Sequence, residues 1–244
     1  MDLQLHGTTA LVTGAGSGIG RAVALALAAE GVRVALLDRD EDALSETAAA
    51  CPGSSVHVAD VTDEAQVDAA LGSLDRLDAV VCCAGISGPV GAGIEDITLA
   101  QWNAVFAVNV TGPFLVLRRV LPALRAAGTA SVVLLSSDSA FVASPGMAPY
   151  CSSKGAVAQF ARALSVDLAR DGIRVNTVAP SVVDTPMSRG DLGDAALDAP
   201  DFPVQTADEV AAHVAYLVSP RSRAVNGTTL LSDFGYTARS GFPA

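Results

Sequence analysis

Residues Thr8–Thr13 read Thr-Thr-Ala-Leu-Val-Thr, and the chain then runs through Gly14-Ala15-Gly16-Ser17-Gly18-Ile19-Gly20 into an alanine-rich stretch that ends at Glu30. A short β-branched and apolar run such as Thr8–Thr13 is a buried strand, and Ile19–Glu30 carries helical periodicity that Gly31 closes. Glycines between a strand and a helix permit a tight turn and let the backbone come close to a pyrophosphate. The helix then presents free N–H groups and a partial positive charge. A glycine pattern alone is a weak signal, but here it sits at the opening of a βαβ unit, the context that dinucleotide binding requires. Gly14, Ser17, Gly18, Ile19 and Gly20 are therefore candidate cofactor contacts.

Working outward, the same alternation continues. Strands are expected at Val32–Leu37, Val56–Val58, Leu77–Cys82, Ser131–Leu135, Ile173–Val178 and Thr228–Leu231. Helices are expected at Glu41–Ala50, Asp63–Leu71, Leu99–Ala127 (irregular near Gly112-Pro113), Tyr150–Arg170 and Ala207–Val218. Strand–helix alternation of this kind builds a parallel sheet covered on both faces. No repeat or linker divides the 244 residues, so one α/β domain is expected. The aperiodic stretch at about residues 186–206, rich in Gly, Pro and Asp, is the candidate substrate loop or lid.

Composition excludes several classes. Half the residues are hydrophobic and 17% are charged, which supports a buried core. A net charge of −11 disfavours nucleic-acid binding. Polar residues and Pro113 interrupt the uncharged run Ile97–Leu117, so it reads as a core helix and not a membrane span. The start, Met1–Leu5, has no export-signal pattern, which points to the cytoplasm. Cys51, Cys82, Cys83 and Cys151 have no metal-ligand spacing with His6, His57 or His213, and no metal site is expected.

Asp38 ends the second strand, eighteen residues after Gly20. A carboxylate there can accept the adenosine ribose hydroxyls and would repel a 2′-phosphate, favouring NAD over NADP. Arg39 beside it pulls the other way. Asp60 and Val61, after the third strand, could meet the adenine.

Of fifteen basic residues, fourteen are Arg, and the single Lys is Lys154. Tyr150 lies four residues before it at a helix start, so the two share a face. An ammonium beside a phenol favours phenolate and lowers the phenol pKa, readying Tyr150 to exchange a proton with a carbonyl oxygen while hydride moves. Lys154 could also bond the nicotinamide ribose. Ser136 and Ser137 close the fifth strand, where a hydroxyl could hold the substrate oxygen. Asn109 is an amide inside an apolar helix, and a buried amide needs partners.

Taken together, Thr13–Gly20, Asp60, Asn109-Val110-Thr111-Gly112, Ser137, Tyr150-Cys151-Ser152-Ser153-Lys154, Arg174-Val175-Asn176, Pro180 and Thr185 resemble the short-chain dehydrogenase/reductase family over nearly the whole chain. The resemblance implies a Rossmann-like, doubly wound, seven-stranded sheet and a tetrad of Asn109, Ser137, Tyr150 and Lys154. It selects Ser137, thirteen residues before Tyr150, over Ser136 and Ser139, and has Asn109 hold a water in a relay through Lys154. It also implies that Val183 and Thr185 hold the nicotinamide carboxamide below Pro180, and that the protein is a homotetramer. Cys82-Cys83-Ala84-Gly85 departs from the family's Asn-Asn-Ala-Gly, leaving backbone contacts from Cys82, Ala84 and Gly85. Ser181 and Phe234 replace glycines.

The leading expectation is hydride transfer between NAD and a secondary alcohol or ketone. An NADPH-dependent 3-oxoacyl or polyketide ketoreductase is a second reading, and a non-catalytic dinucleotide-binding regulator a third. The stretches Ser87–Gly93, Ala140–Met147 and Met187–Pro203 are mostly small and apolar, which suggests a neutral or hydrophobic substrate.

Overall fold

In the computed structural model, which describes residues 2–198 and 202–239, the opening strand β1 (Thr9–Thr13) is central. It pairs in parallel with β2 (Arg33–Asp38) on one side and β4 (Ala79–Cys82) on the other. β3 (Ser55–Val58) extends the first side. β5 (Ala130–Leu135), β6 (Ile173–Pro180) and β7 (Thr229–Ser232) extend the second. The result is one seven-stranded parallel sheet in the order β3-β2-β1-β4-β5-β6-β7. Winding reverses between β1 and β4, so the connecting helices cover both faces and a crevice opens beyond the strand ends at that point.

The helices are α1 (Gly18–Ala29), α2 (Glu41–Ala50), α3 (Glu64–Leu71), α4 (Leu99–Phe106), α5 (Gly112–Ala126), α6 (Ala148–Asp167), α7 (Pro186–Leu192), α8 (Asp194–Asp198) and α9 (Ala207–Val218). Strand side chains alternate between the two faces. Val12, Leu36, Val81 and Val133 join Leu27 of α1 and Val214 of α9 in one buried cluster. Leu11, Leu37, Val80 and Val132 join Val116 and Leu124 of α5 and Val157 of α6 in the other. Each fully buried side chain of this size contributes roughly 1.5–3 kcal/mol, so two dry layers fix the positions of the strand ends.

The irregularity expected near Gly112-Pro113 is present, and one other expectation is corrected. The helical run Leu99–Ala126 is long and apolar enough by length and composition to cross a membrane, but it is not one regular helix. Residues Ala107–Thr111 form a π turn in which the Gly112 N–H reaches the Ala107 carbonyl. Pro113 has no N–H to give to Asn109 four residues back, and the chain accommodates this by widening the turn. The irregularity therefore lies just before Gly112-Pro113. The segment after Thr185, expected to lack structure, folds into α7 and α8. Pro186 and the Thr185 capping box start α7, and Gly193 joins the helices at φ +84°. Helices this short show no readable periodicity. Residues 199–201 of the expected substrate loop lie outside the described residues.

Candidate active site

The glycine turn shapes the crevice. Gly14 and Gly18 adopt φ of +67° and +50°, conformations costly for any other residue. A Cβ on Gly20 would fall 2.0 Å from the Gly14 carbonyl oxygen, and one on Gly14 would fall 2.8 Å from the Ala84 nitrogen. Without side chains the turn closes on itself and on the end of β4. Ser17 stands at the N-cap of α1 but makes no side-chain cap bond, so the first N–H groups of the helix remain available to an anion.

A cleft of about 270 Å³ lies in front of this turn. Of the residues named from the sequence, Gly14, Ser17, Gly18, Ile19, Gly20, Asp38, Arg39, Asp60, Val61, Ala84, Gly85 and Thr185 line it. Asp38 Oδ2 accepts the Gly16 N–H at 3.0 Å, and Oδ1 accepts the Arg39 N–H at 2.8 Å. These bonds hold the carboxylate at the cleft rim with lone pairs to spare. Arg39 lies 4.0 Å from the Asp60 carboxylate. Thr185 packs against the turn: a Cβ on Gly18 would meet its side chain at 3.4 Å.

Cys82, Pro180 and Val183 do not line the cleft. Cys82 is a buried inward residue of β4, and Cys83, one step later in the strand alternation, faces the cleft instead. Burial pushes the Cys82 thiol up to about 12 and raises the Cys83 thiol as well, so both stay protonated. Pro180 ends β6, and Val183 is buried with its carbonyl accepting the Ser188 hydroxyl. Leu37, Ala59, Ile86, Val108, Pro186 and Met187 also line the cleft. Pro186 and Met187 belong to the expected substrate loop; the other four were missed because apolar residues at strand ends and in helices look like any other core residue in the sequence. Only the positions of Leu37 and Ile86, next to Asp38 and Gly85, could have marked them.

The four polar residues expected to act together are brought together around the ends of β4 and β5. Asn109 is buried in the π turn, where its Oδ1 accepts the Ile86 N–H and its Nδ2 donates to the Ile86 carbonyl, both at 2.9 Å. Its Nδ2 also donates to Ser153 Oγ at 3.0 Å, and Ser153 Oγ donates to the Tyr150 carbonyl at 2.7 Å. The amide thus ties the π turn to the first turn of α6. Lys154 Nζ donates to the Leu135 carbonyl at 2.9 Å. A Cβ on Gly85 would come within 3.3 Å of Asn109 Oδ1 and 3.7 Å of Lys154 Nζ. Gly85 and Ile86 belong to both the cleft wall and the polar cluster, so the two are contiguous.

Ser136 donates to the Lys154 carbonyl at 2.9 Å, which makes it a brace. Ser137 Oγ accepts the Ser139 N–H at 3.1 Å and donates to Asp138 Oδ1 at 2.9 Å. It is also the group that draws the Tyr150 phenol pKa downward. Burial outweighs it and pushes the phenol up to about 12, with smaller upward contributions from Asp138 and Asp191. The sequence expectation that Lys154 would dominate and lower this pKa is therefore corrected. Burial strips water from both groups, raising the neutral acid and bringing the Lys154 ammonium down to about 8. Arg174 and Asn176 serve the scaffold. The guanidinium caps the carbonyls of Leu217, Ser219 and Val225, and the amide bonds Val225 and Thr228.

A doubly wound sheet with a glycine turn at its switch point and a Tyr–Lys pair beside it defines a dinucleotide-binding class of protein. Residues 14–237 match the family described as enoyl-(acyl carrier protein) reductase. The chain is 39% identical to 2-(R)-hydroxypropyl-CoM dehydrogenase of Xanthobacter autotrophicus, over 94% of this chain and 98% of that one. It is 35% identical to D-threitol dehydrogenase of Mycolicibacterium smegmatis, over 98% and 96%. Among solved structures, a 3-ketoacyl-(acyl-carrier-protein) reductase from Brucella melitensis complexed with NADH superposes with a TM-score of 0.88 at 30% identity, covering 96% of this chain and all of that one. The chain belongs to the short-chain dehydrogenase/reductase family, and it is an oxidoreductase acting on CH–OH groups.

Proposed function

We propose that the protein transfers hydride between NAD(H) and a secondary alcohol or its ketone, with Tyr150 as general acid/base. The observation that carries this reading is the contiguity of the glycine-turn cleft with the Asn109–Ser137–Tyr150–Lys154 cluster through Gly85 and Ile86. The residues fit a nicotinamide dinucleotide. A Cβ would fill the cradle at Gly14 and Gly20, and a carboxylate stands at the rim where a ribose would lie. When bound, the dinucleotide supplies the acceptor or donor of the hydride. Gly14, Ser17 to Gly20 and Asp38 hold its phosphates and ribose, and Asp60, Val61, Ala84 and Gly85 flank the adenosine. Thr185, which lines the cleft, would orient the nicotinamide.

The protein's own part is the proton. In oxidation the substrate hydroxyl gives its proton to the Tyr150 oxygen; in reduction the Tyr150 O–H gives it back. Ser137, turning its hydroxyl from Asp138, donates to the substrate oxygen and steadies the charge that develops there. Lys154 holds the phenolate form and passes protons toward Asn109, whose fixed amide orders the relay.

The preference for NAD rests on Asp38, since a carboxylate at the rim opposes a 2′-phosphate and Arg39 leans toward Asp60. The similarity to a 3-ketoacyl-(acyl-carrier-protein) reductase favours a second reading, reduction of a 3-oxoacyl thioester. The names of the two sequence relatives favour alcohol oxidation. We assign the activity to a homotetramer, the arrangement that the family resemblance implies.

The test is Tyr150→Phe. Cofactor affinity, read by quenching of protein fluorescence, stays within about threefold. Turnover on a panel of secondary alcohols, read by NADH absorbance, falls by about 10²–10⁴. Unchanged turnover would remove Tyr150 from the chemistry.

A further inference from the structure

Helix α7 meets the rim of the cleft at two places. At its start, Thr185 and Pro186 rest on the glycine turn: a Cβ on Gly18 would lie 3.4 Å from the Thr185 side chain and 3.9 Å from Pro186 Cδ. Asp191 comes five residues after Pro186, roughly 7–8 Å along a helix. There its Oδ1 accepts the hydroxyl of Ser87, 104 positions earlier in the chain, at 2.9 Å. Ser87 directly follows Gly85 and Ile86, which line the same cleft as Gly18, Thr185, Pro186 and Met187. One short helix thus reaches from the glycine turn to the loop after β4, and a single measured bond fastens its far end.

The two partners differ in how firmly the fold holds them. Ser87 stands on a rigid post and is itself only 9% exposed. The Ile86 N–H and carbonyl are both bonded to the Asn109 amide at 2.9 Å. Gly88 is packed too closely against Val105 for any side chain, and the Gly91 N–H donates to the Gly146 carbonyl at 3.0 Å. Helix α7 is held less. Among the described residues, its other hydrogen bonds all stay within residues 183–198. Gly193 follows it at φ +84° with open space around it.

We propose that Ser87 and Asp191 form a clasp that positions α7 across the cleft, keeping Thr185 and Met187 against the bound dinucleotide and opening when the dinucleotide passes. The inference rests on the dinucleotide-binding part of the proposed function. Both are positioning residues that act through α7, and neither touches the reacting atoms. A nearly buried hydroxyl needs an acceptor, and a carboxylate acceptor makes the bond charge-assisted, so the closed position is favoured. The bond is single and Asp191 is only partly buried. Water can therefore take over both groups when α7 lifts, and the helix can open on the timescale of ligand exchange.

The experiment follows binding of NADH, and of NADPH in parallel, to the full-length protein by stopped-flow fluorescence, which needs no turnover. Asp191→Ala and Ser87→Ala should each raise both the association and the dissociation rate by about tenfold, with Kd moved less than either rate. Asp191→Asn keeps an acceptor without the charge and should fall between. Ser87→Thr keeps the hydroxyl and should stay near the native rates. The double alanine variant should be no faster than either single one, because all three lose the same bond. Amide hydrogen exchange in the ligand-free protein should speed up at residues 186–192 while the sheet exchanges as before, which also verifies the fold. KM for alcohols should rise more than kcat falls. A folding defect would weaken binding without hastening association, so the association rate separates the clasp from a structural role. An association rate unmoved in Asp191→Ala, or single effects that add in the double variant, overturns the clasp. Faster passage of dinucleotide in the variants with no alcohol oxidised by the native protein leaves the clasp standing and removes the oxidoreductase reading. If neither dinucleotide binds, both claims fall.

Discussion

Lys154 Nζ lies 5.4 Å from the centroid of the Tyr150 ring while donating to the Leu135 carbonyl. Burial brings the lysine from its ordinary 10.5 down to about 8. Between pH 8 and 10.5 the unfolded chain therefore holds a proton on this amine that the folded chain has released. Stability rises with pH wherever the unfolded state binds more protons. The contribution of Lys154 is thus least favourable below pH 8 and improves as pH climbs through that window. Lys154→Met removes the titration. The difference in unfolding free energy, native sequence minus Lys154→Met, should increase from pH 8 to pH 10 in urea titrations. A pH-independent difference would show that the amine is not desolvated.

Gly20 has a Cβ position 2.0 Å from the Gly14 carbonyl oxygen and 3.2 Å from the Ala15 nitrogen. The contact is with backbone, so no rotamer change relieves it. Gly20→Ala must push α1 away from the end of β1, at a cost on the order of 1–3 kcal/mol, and this opens the anion cradle. Thermal unfolding and cofactor titration should show a lowered Tm and affinity for NAD weakened at least tenfold. A variant with native Tm and native affinity would mean that the turn tolerates side chains and that its shape does not set binding.

The same turn shows what a sequence makes legible. Thr9–Thr13 and Gly18–Ala29 were readable because a strand, a glycine turn and a helix each impose a local pattern, and the strands and main helices up to β6 follow such patterns within a few residues. Tyr150 and Lys154 were readable because four-residue spacing on a helix is a statement about geometry. Asp138 and Asp191 were not. One sits behind a serine at a strand end and the other in a seven-residue helix, and only the fold lets their charges add to the upward shift of one phenol. The direction of the Tyr150 pKa shift was misread for a related reason. Sequence shows the neighbouring ammonium, but burial depends on everything packed around the pair.

Arg189 holds three carboxylates at once. Its Nε and Nη2 bind Asp184 at 2.7 and 2.8 Å, and its Nη1 reaches Asp194 at 3.2 Å and Asp198 at 3.0 Å. The guanidinium joins α7, α8 and the stretch after β6, and its three partners would otherwise repel one another. Arg189→Ala should free α7 and α8 without disturbing the sheet. Limited proteolysis between residues 186 and 206 should speed up several-fold, with KM for alcohols raised and Tm nearly unchanged. Added salt should shift the native protein in the same direction, since partly exposed pairs are screened. Unchanged cleavage in the variant would show that packing alone holds these helices down.

Asp38 is fixed by three backbone N–H groups, from Gly16 at 3.0 Å, Arg39 at 2.8 Å and Asp40 at 3.2 Å. The carboxylate is thus held at the rim before any ligand arrives, and a 2′-phosphate brought there would meet a fixed negative charge. Asp38→Ala removes that charge and leaves Arg39 as the nearest ionic side chain in sequence. The ratio of kcat/KM for NAD over NADP should fall by at least about tenfold, because each charged hydrogen bond of this kind is worth roughly 1.5–3 kcal/mol. Adding Arg39→Ala should then reduce NADP use without restoring the preference for NAD, since the guanidinium attracts the phosphate and the carboxylate binds the ribose. A native protein that prefers NADP, or an Asp38→Ala variant with an unaltered ratio, would show that the rim acid serves the turn and not the choice of cofactor.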